Sequence, residues 1–104
     1  MTTGMAKILK KVRQLQADML RRQKELASLK VEGNSGGGLV KVEMDGEREV
    51  LSVTIDPSLV EKGDLEMLQD LVAAAINDAT DRLEPELHER FGDFVDVLDL
   101  MGML

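Results

Sequence analysis

The stretch GNSGGGLVKVEMDG, residues 33–46, decides the fold of this chain. Its glycines interrupt the helix-like sequence that precedes them, and they are Gly33, Gly36, Gly37 and Gly38. The run after them alternates, with Leu39, Lys41 and Glu43 on one face and the apolar Val40, Val42 and Met44 on the other. An alternation with a period of two predicts a half-buried β-strand. The stretch therefore predicts a glycine loop that leads into a strand.

The end of the stretch predicts a β-hairpin. Asp45-Gly46 is a pair favoured by tight turns of type I′, because both central positions of that turn need positive φ. A second alternating run returns after the turn, at Glu49, Leu51, Val53 and Ile55. Residues 29–32, before the loop, are long enough for a further short strand. We therefore expect three antiparallel strands.

A long amphipathic helix is predicted before the sheet. Residues 5–29 contain no Gly or Pro, and their apolar residues recur in alternating steps of four and three. These residues are Ile8, Val12, Leu15, Met19, Leu26 and Leu29, and Arg22 interrupts the stripe. A helix of about 25 residues spans about 37 Å, whereas a compact domain of about 100 residues has a radius of gyration of about 13 Å. The helix is therefore expected to extend beyond its own domain, and its apolar stripe to need a partner, most simply a second copy of the chain.

A second helix is predicted after the sheet, which makes the fold class α+β. Pro57 ends the last strand because it lacks an N–H for the ladder. Asp64 is a good N-cap for a helix from Leu65 to about Leu83. Pro85 is expected to end or kink that helix, with a shorter helical piece at residues 86–91. We expect one domain over residues 1–104, with residues 1–4 as a frayed leader and residues 92–104 as a variable C-terminal tail.

The composition argues against several classes of function. The chain has no cysteine, which excludes disulfides, thiol catalysis and thiolate metal sites. Phe91 and Phe94 are its only aromatic residues, so platforms on which unpaired bases stack are missing, and single-stranded nucleic acid is disfavoured as a ligand. No N-terminal apolar segment and no long apolar span appears, which predicts a cytoplasmic protein without a membrane partner.

Enzymatic activity is not predicted. The glycine loop lacks the GxxxxGK[ST] pattern of a phosphate-binding loop, and a strand follows it where such a loop needs a helix. Acidic residues such as Glu66 and Asp70 fall at helix-surface positions, without a nucleophile or a pocket that would make them catalytic. The one histidine, His88, has no second histidine or cysteine to share a metal. We therefore expect no catalytic residue, metal, cofactor or small-molecule substrate.

The net charge of −7 is unevenly distributed. Residues 1–32 carry +5 and the remainder carries −12, and such asymmetry points to a basic contact surface. Lys7, Lys10, Arg13, Arg21 and Lys24 fall opposite the apolar stripe of the first helix. This basic side is either an ordinary solvated face or a surface for a phosphate backbone. It offers no cluster of residues that would read bases.

Three segments resemble the YbaB/EbfC family of bacterial nucleoid-associated proteins in their order and spacing. They are GNSGGGLVKV, IDPSL at residues 55–59 and LQDLVAAAINDA at residues 68–79. The resemblance implies a homodimer shaped like tweezers that binds double-stranded DNA in the nucleoid, without catalysis. The basic positions matched to that role are Lys7, Lys10, Lys11, Arg13, Arg21, Arg22 and Lys24. The acidic, apolar C-terminal tail departs from the Pro- and Met-rich tails that are frequent in the family.

A rival hypothesis comes from the acidic majority of the surface. It is a protein-interaction or scaffold dimer that does not bind DNA. The basic segment at residues 1–32 opposes this alternative, and DNA binding measured against salt concentration separates the two.

Overall fold

The computed structural model describes the backbone of residues 2–102 and the side chains of residues 4–93, 96 and 100–102. Its helices are α1 (Thr2–Ser28), α2 (Pro57–Glu61) and α3 (Leu65–Leu100), and its strands are β1 (Lys30–Ser35), β2 (Val40–Asp45) and β3 (Val50–Ile55). The strands form one antiparallel sheet in the order β1-β2-β3. The predicted α+β architecture of a long N-terminal helix, three antiparallel strands and a second long helix is confirmed.

The core lies between α3 and the first two strands. Val40, Val42 and Met44 are buried, as the alternation predicted, and α3 covers them with Ala75, Ala79, Leu83 and Leu87. Because α3 packs mainly on β1 and β2, the apolar side of β3 stays open. Val50, Leu51 and Val53 are each more than two-fifths exposed.

Gly33 lies within β1, so the prediction that it belongs to the loop is wrong. A Cβ at this position would lie 2.2 Å from the backbone nitrogen of Ala79 and 2.4 Å from the carbonyl oxygen of Ala75. Glycine is therefore required by the close approach of α3 to the sheet. The loop itself is shorter than predicted and consists of Gly36, Gly37, Gly38 and Leu39, with positive φ at all three glycines.

The turn between β2 and β3 differs from the predicted type I′ turn. The N–H of Asp45 donates to the carbonyl of Glu49, and the positive φ falls at Arg48 (69°), whereas Gly46 has no positive φ. A turn with three residues between its closing pair commonly ends in one left-handed residue. Gly46 serves a different purpose, because a Cβ there would lie 2.3 Å from the carbonyl oxygen of Leu26.

α3 continues past Pro85, contrary to the predicted end or kink near residue 84. Asp64 caps its first turn by accepting from the N–H of Met67 (3.0 Å), as predicted. The helical geometry breaks at Phe91 (φ −135°, ψ 19°), and the helix resumes to Leu100. Leu83 and Leu87 flank Pro85 and are both buried, so an unbroken helix keeps both side chains in the core.

α1 extends far beyond the rest of the molecule, as predicted. It begins at Thr2, so residues 2–4 belong to the helix and do not precede it. Among its described side chains only Leu26 is buried, and Leu29, just beyond its end, is buried as well. The N–H of Gly46 donates to the carbonyl of Leu26 (2.9 Å). The molecule measures 74 × 20 × 18 Å and has a radius of gyration of 19.8 Å.

Candidate nucleic-acid interface

The basic residues predicted for DNA contact all lie on α1. Six of them are exposed, namely Lys7, Lys10, Lys11, Arg13, Arg21 and Lys24, and Arg22 is half-buried. The segment from Lys7 to Lys24 spans about 26 Å at 1.5 Å per residue. It could therefore follow roughly seven base pairs of a duplex at 3.4 Å per pair.

The N-terminal half of α1 carries uncompensated positive charge. Residues 2–17 contain Lys7, Lys10, Lys11 and Arg13 and no acidic residue. Within the described side chains, none of these four has a carboxylate within 4.0 Å. A phosphate that approaches this half would therefore not have to displace a described carboxylate from these cations.

The C-terminal half of α1 is different. The guanidinium of Arg21 lies 3.0 Å from the carboxylate of Asp18 and 3.9 Å from that of Glu25. These exposed pairs are weak, but they reduce the charge that Arg21 offers to a ligand. The acid at position 18 and the acid at position 25 are i−3 and i+4 from Arg21, a spacing that could have predicted the pairing from the sequence.

Acidic groups lie beside the C-terminal end of α1, in the turn between β2 and β3 that is hydrogen-bonded to Leu26. The carboxylate of Asp45 accepts from the N–H groups of Glu47 (2.9 Å) and Glu49 (3.0 Å). Carboxylate oxygens of these three residues lie within 4.8 Å of one another, which was not predicted. Because the turn already uses Asp45, we assign the cluster to the turn. Its negative charge lies at the C-terminal end of α1, because the N–H of Gly46 in this turn donates to the carbonyl of Leu26.

Two further carboxylates fix α3 to the sheet, away from the basic surface. The N–H of Asn34 donates to Asp78 (2.9 Å), and this bond, helped by Arg82 (2.9 Å), lowers the pKa of Asp78 below its ordinary value. A hydrogen bond from Arg48 likewise lowers the pKa of Glu84. These groups are structural.

An apolar groove runs between α3 and β3 and has a volume of 430 Å³. Its walls include Ile55, Leu65, Leu68, Val72 and Ile76. The groove continues the open side of β3, where Val53 is exposed. An open apolar strip of this kind is typical of a protein–protein contact. Across residues 2–102, no helix has the length and hydropathy needed to cross a membrane.

Comparison with known proteins gives a consistent result. The model of the YbaB/EbfC DNA-binding family matches residues 1–98. A nucleoid-associated protein from Pelotomaculum thermopropionicum is 38% identical over 100 residues, which cover 96% of this chain and 95% of that protein. The crystal structure of HP0035, an uncharacterized protein from Helicobacter pylori, is similar with a TM-score of 0.59 and 26% identity, over 75% of this chain and 90% of that one.

Proposed function

The chain belongs to the YbaB/EbfC DNA-binding family, and we propose that it is a nucleoid-associated protein that binds double-stranded DNA as a homodimer. In this proposal α1 contacts the phosphate backbone with little sequence specificity. The family description names a class of DNA-binding proteins and not a class of enzymes.

The observation that carries the proposal is the bare positive charge on the projecting half of α1. Lys7, Lys10, Lys11 and Arg13 are exposed, lie on a rigid helix and have no acidic neighbour in residues 2–17. Phosphate contacts release counterions from the duplex and supply most of the sequence-independent affinity. They position a protein on DNA but carry no information about its bases.

The homodimer is supported by the open apolar groove of α3 and β3. Groove residues such as Leu65 (65% exposed) and the neighbouring Val53 (42% exposed) would be costly to leave in water. A second copy presents the same strip, and a two-fold contact is self-complementary by symmetry. Two chains joined there bring two copies of α1 to one duplex.

A titration of duplex DNA against salt tests this proposal. If each chain neutralises about three or four phosphates, the dimer meets about six to eight, and log affinity should fall with log salt at a slope of about −5 to −7. The double variant Lys10→Gln/Arg13→Gln removes four charges per dimer. It should reduce the magnitude of the slope by about three to four units. Arg21 is a poorer choice because Asp18 and Glu25 already pair with it.

The matched control is Lys41→Gln/Lys62→Gln, which makes the same change in net charge at exposed positions outside α1. This control should keep the wild-type slope. Equal losses in the two double variants would show that net charge alone matters and that α1 is not the DNA surface. No binding of any duplex at low salt would instead favour the scaffold alternative.

A further inference from the structure

The exposed part of the α1 stripe has the spacing of a coiled coil. Its steps of four and three average 3.5 residues, the period at which a straight seam faces a second helix. Written as heptads, Met5, Val12, Met19 and Leu26 occupy the a positions, and Ile8, Leu15, Arg22 and Leu29 occupy the d positions. Leu26 and Leu29 are buried in the domain. We use the term α1 seam for the remaining apolar positions, Met5, Ile8, Val12, Leu15 and Met19.

The α1 seam is open to solvent from Met5 to Leu15, whereas Met19 is half-buried and packs at the edge of the core of its own chain. Met5 and Ile8 are 61% and 60% exposed, and Leu15 is 57% exposed. The groove of α3 and β3 is a separate surface, and none of its lining residues comes from α1. The described side chains therefore form at least two apolar surfaces, and a homodimer formed on the groove does not by itself use the seam.

We propose that the α1 seam pairs with the α1 seam of a second copy in an antiparallel coiled coil, which joins one homodimer to another. This inference takes the homodimer of the proposed function as its unit. In the antiparallel register that places Val12 beside Leu15 of the second helix, Ile8 lies beside Met19. Apolar residues then face each other in every layer from 8 to 19, and Met5 lies beside Arg22 of the second helix.

Charge complementarity favours this register. The g positions of antiparallel helices face each other across the seam, and here they are Lys11 and Asp18. The register above places Lys11 opposite Asp18 of the second helix, and the symmetry repeats the pair. A parallel pairing would place Arg22 beside its own copy and Lys11 beside Gln16, so it is electrostatically inferior.

The coil uses Lys11 and leaves the rest of the proposed DNA surface free. Lys7, Lys10 and Arg13 occupy heptad positions c, f and b, which face away from a seam. The pair of helices therefore carries cations on two opposite sides. A contact of about four layers is smaller than a standard protein interface of about 1,600 Å². The association should thus be weak in dilute solution and increase with protein concentration, or on DNA, where the local concentration is high.

A charge-swap experiment without DNA tests the proposal, with sedimentation velocity over a wide range of protein concentration. Wild type should form a species larger than the homodimer as concentration rises. Lys11→Glu and Asp18→Lys should each weaken this step about tenfold or more, because each replaces two attractive pairs by two repulsive ones. The double swap Lys11→Glu/Asp18→Lys should restore the step to within about threefold of wild type.

The control is Gln14→Glu, which adds an acid at an outward c position and should leave association unchanged. A wild type that stays a dimer at every concentration would overturn the proposal, as would a double swap no better than the single variants. All of these residues are exposed, so circular dichroism should report the same helix content throughout. Because no DNA is present and the homodimer is the reference mass, a failure here is distinct from a failure of DNA binding.

Discussion

Gly33→Ala tests the closest contact in the fold, between β1 and α3. The added methyl would lie 2.2 Å from the nitrogen of Ala79 and 2.4 Å from the carbonyl oxygen of Ala75. Ordinary contacts of a Cβ begin near 3.4 Å, so the two elements must separate by about 1.2 Å. Both contacted atoms belong to the helix backbone and cannot rotate away. The strain is therefore shared by the whole of α3 on the sheet.

We expect the substitution to cost about 2–2.5 kcal/mol in the free energy of unfolding. Overpacking of a close-packed interior usually costs about 1–3 kcal/mol, and a clash with backbone belongs at the upper end of that range. Alanine gains back only about 0.5–1 kcal/mol, through the smaller entropy of its unfolded state. The neighbours Val42 and Leu83 are fully buried, so a separation of the two layers also loosens the core.

Urea denaturation at one fixed protein concentration measures this loss, with two other Gly→Ala variants as controls. Gly37→Ala meets open space but has φ of +70°, so it should cost about 1–2 kcal/mol from backbone strain alone. Gly4→Ala also meets open space, in helical backbone, and should be neutral or stabilising by up to about 1 kcal/mol. If Gly33→Ala loses no more stability than Gly37→Ala, the close approach of α3 to β1 is refuted.

Two further predictions address the assembly and the acid sensitivity of the fold. Val53→Asp places a charge on the open side of β3 and should prevent the homodimer from forming. Light scattering at micromolar concentration should give a mass near 11.5 kDa for the variant and twice that value for wild type. A variant that is still a dimer would show that this face is not part of the interface. The pKa of Asp78 is lowered in the folded state. The stability that Asp78 contributes is therefore fully present above its unfolded pKa of about 3.9, and it is lost as the pH falls through the lower, folded pKa. Asp78→Asn should therefore flatten the dependence of unfolding free energy on pH below about pH 4, and an unchanged acid limb would contradict the role of its bond to Asn34.

Periodicity predicted those parts of the fold in which burial is repeated along an element. Val40, Val42 and Met44 were placed correctly because every second residue of β2 faces α3. Leu26 and Leu29 were placed correctly because they continue one helical stripe. Each of these predictions was reliable because several residues of one element indicate the same buried face.

The errors concern single residues whose reason lies elsewhere in the chain. Gly33 was assigned to the glycine loop and Gly46 to the hairpin turn, but the backbone of Ala79 approaches Gly33 and the carbonyl of Leu26 approaches Gly46 too closely for a side chain. Pro85 was expected to end or kink the helix near residue 84 because the local rule for proline ignores the burial of residues on both sides of it. A local sequence pattern does not show a close contact between two elements that are far apart in the sequence.

The sequence predicted which basic residues lie on α1, but only the structure shows which of them are paired with carboxylates. The positions of Lys7 and Arg21 on one helix face follow from the period of 3.6 residues. That Arg21 is engaged by Asp18, whereas Lys7 has no such partner among the described side chains, follows from the contacts. The distinction moves the proposed DNA contact toward the N-terminal half of α1.

The length of α1 explains how a chain with a net charge of −7 can bind DNA. Electrostatic interactions fade over a Debye length of about 8 Å at physiological ionic strength. Lys7 lies 19 residues from Leu26, a distance of about 28 Å along the helix, and Leu26 is where the acidic turn at Asp45 meets α1. The negative charge of this turn is therefore largely screened at Lys7, while a phosphate in direct contact with Lys7 or Lys10 would not be screened from it. A shorter helix with the same residues would place its cations closer to the acidic turn, so the projection of α1 is itself part of the proposed binding mechanism.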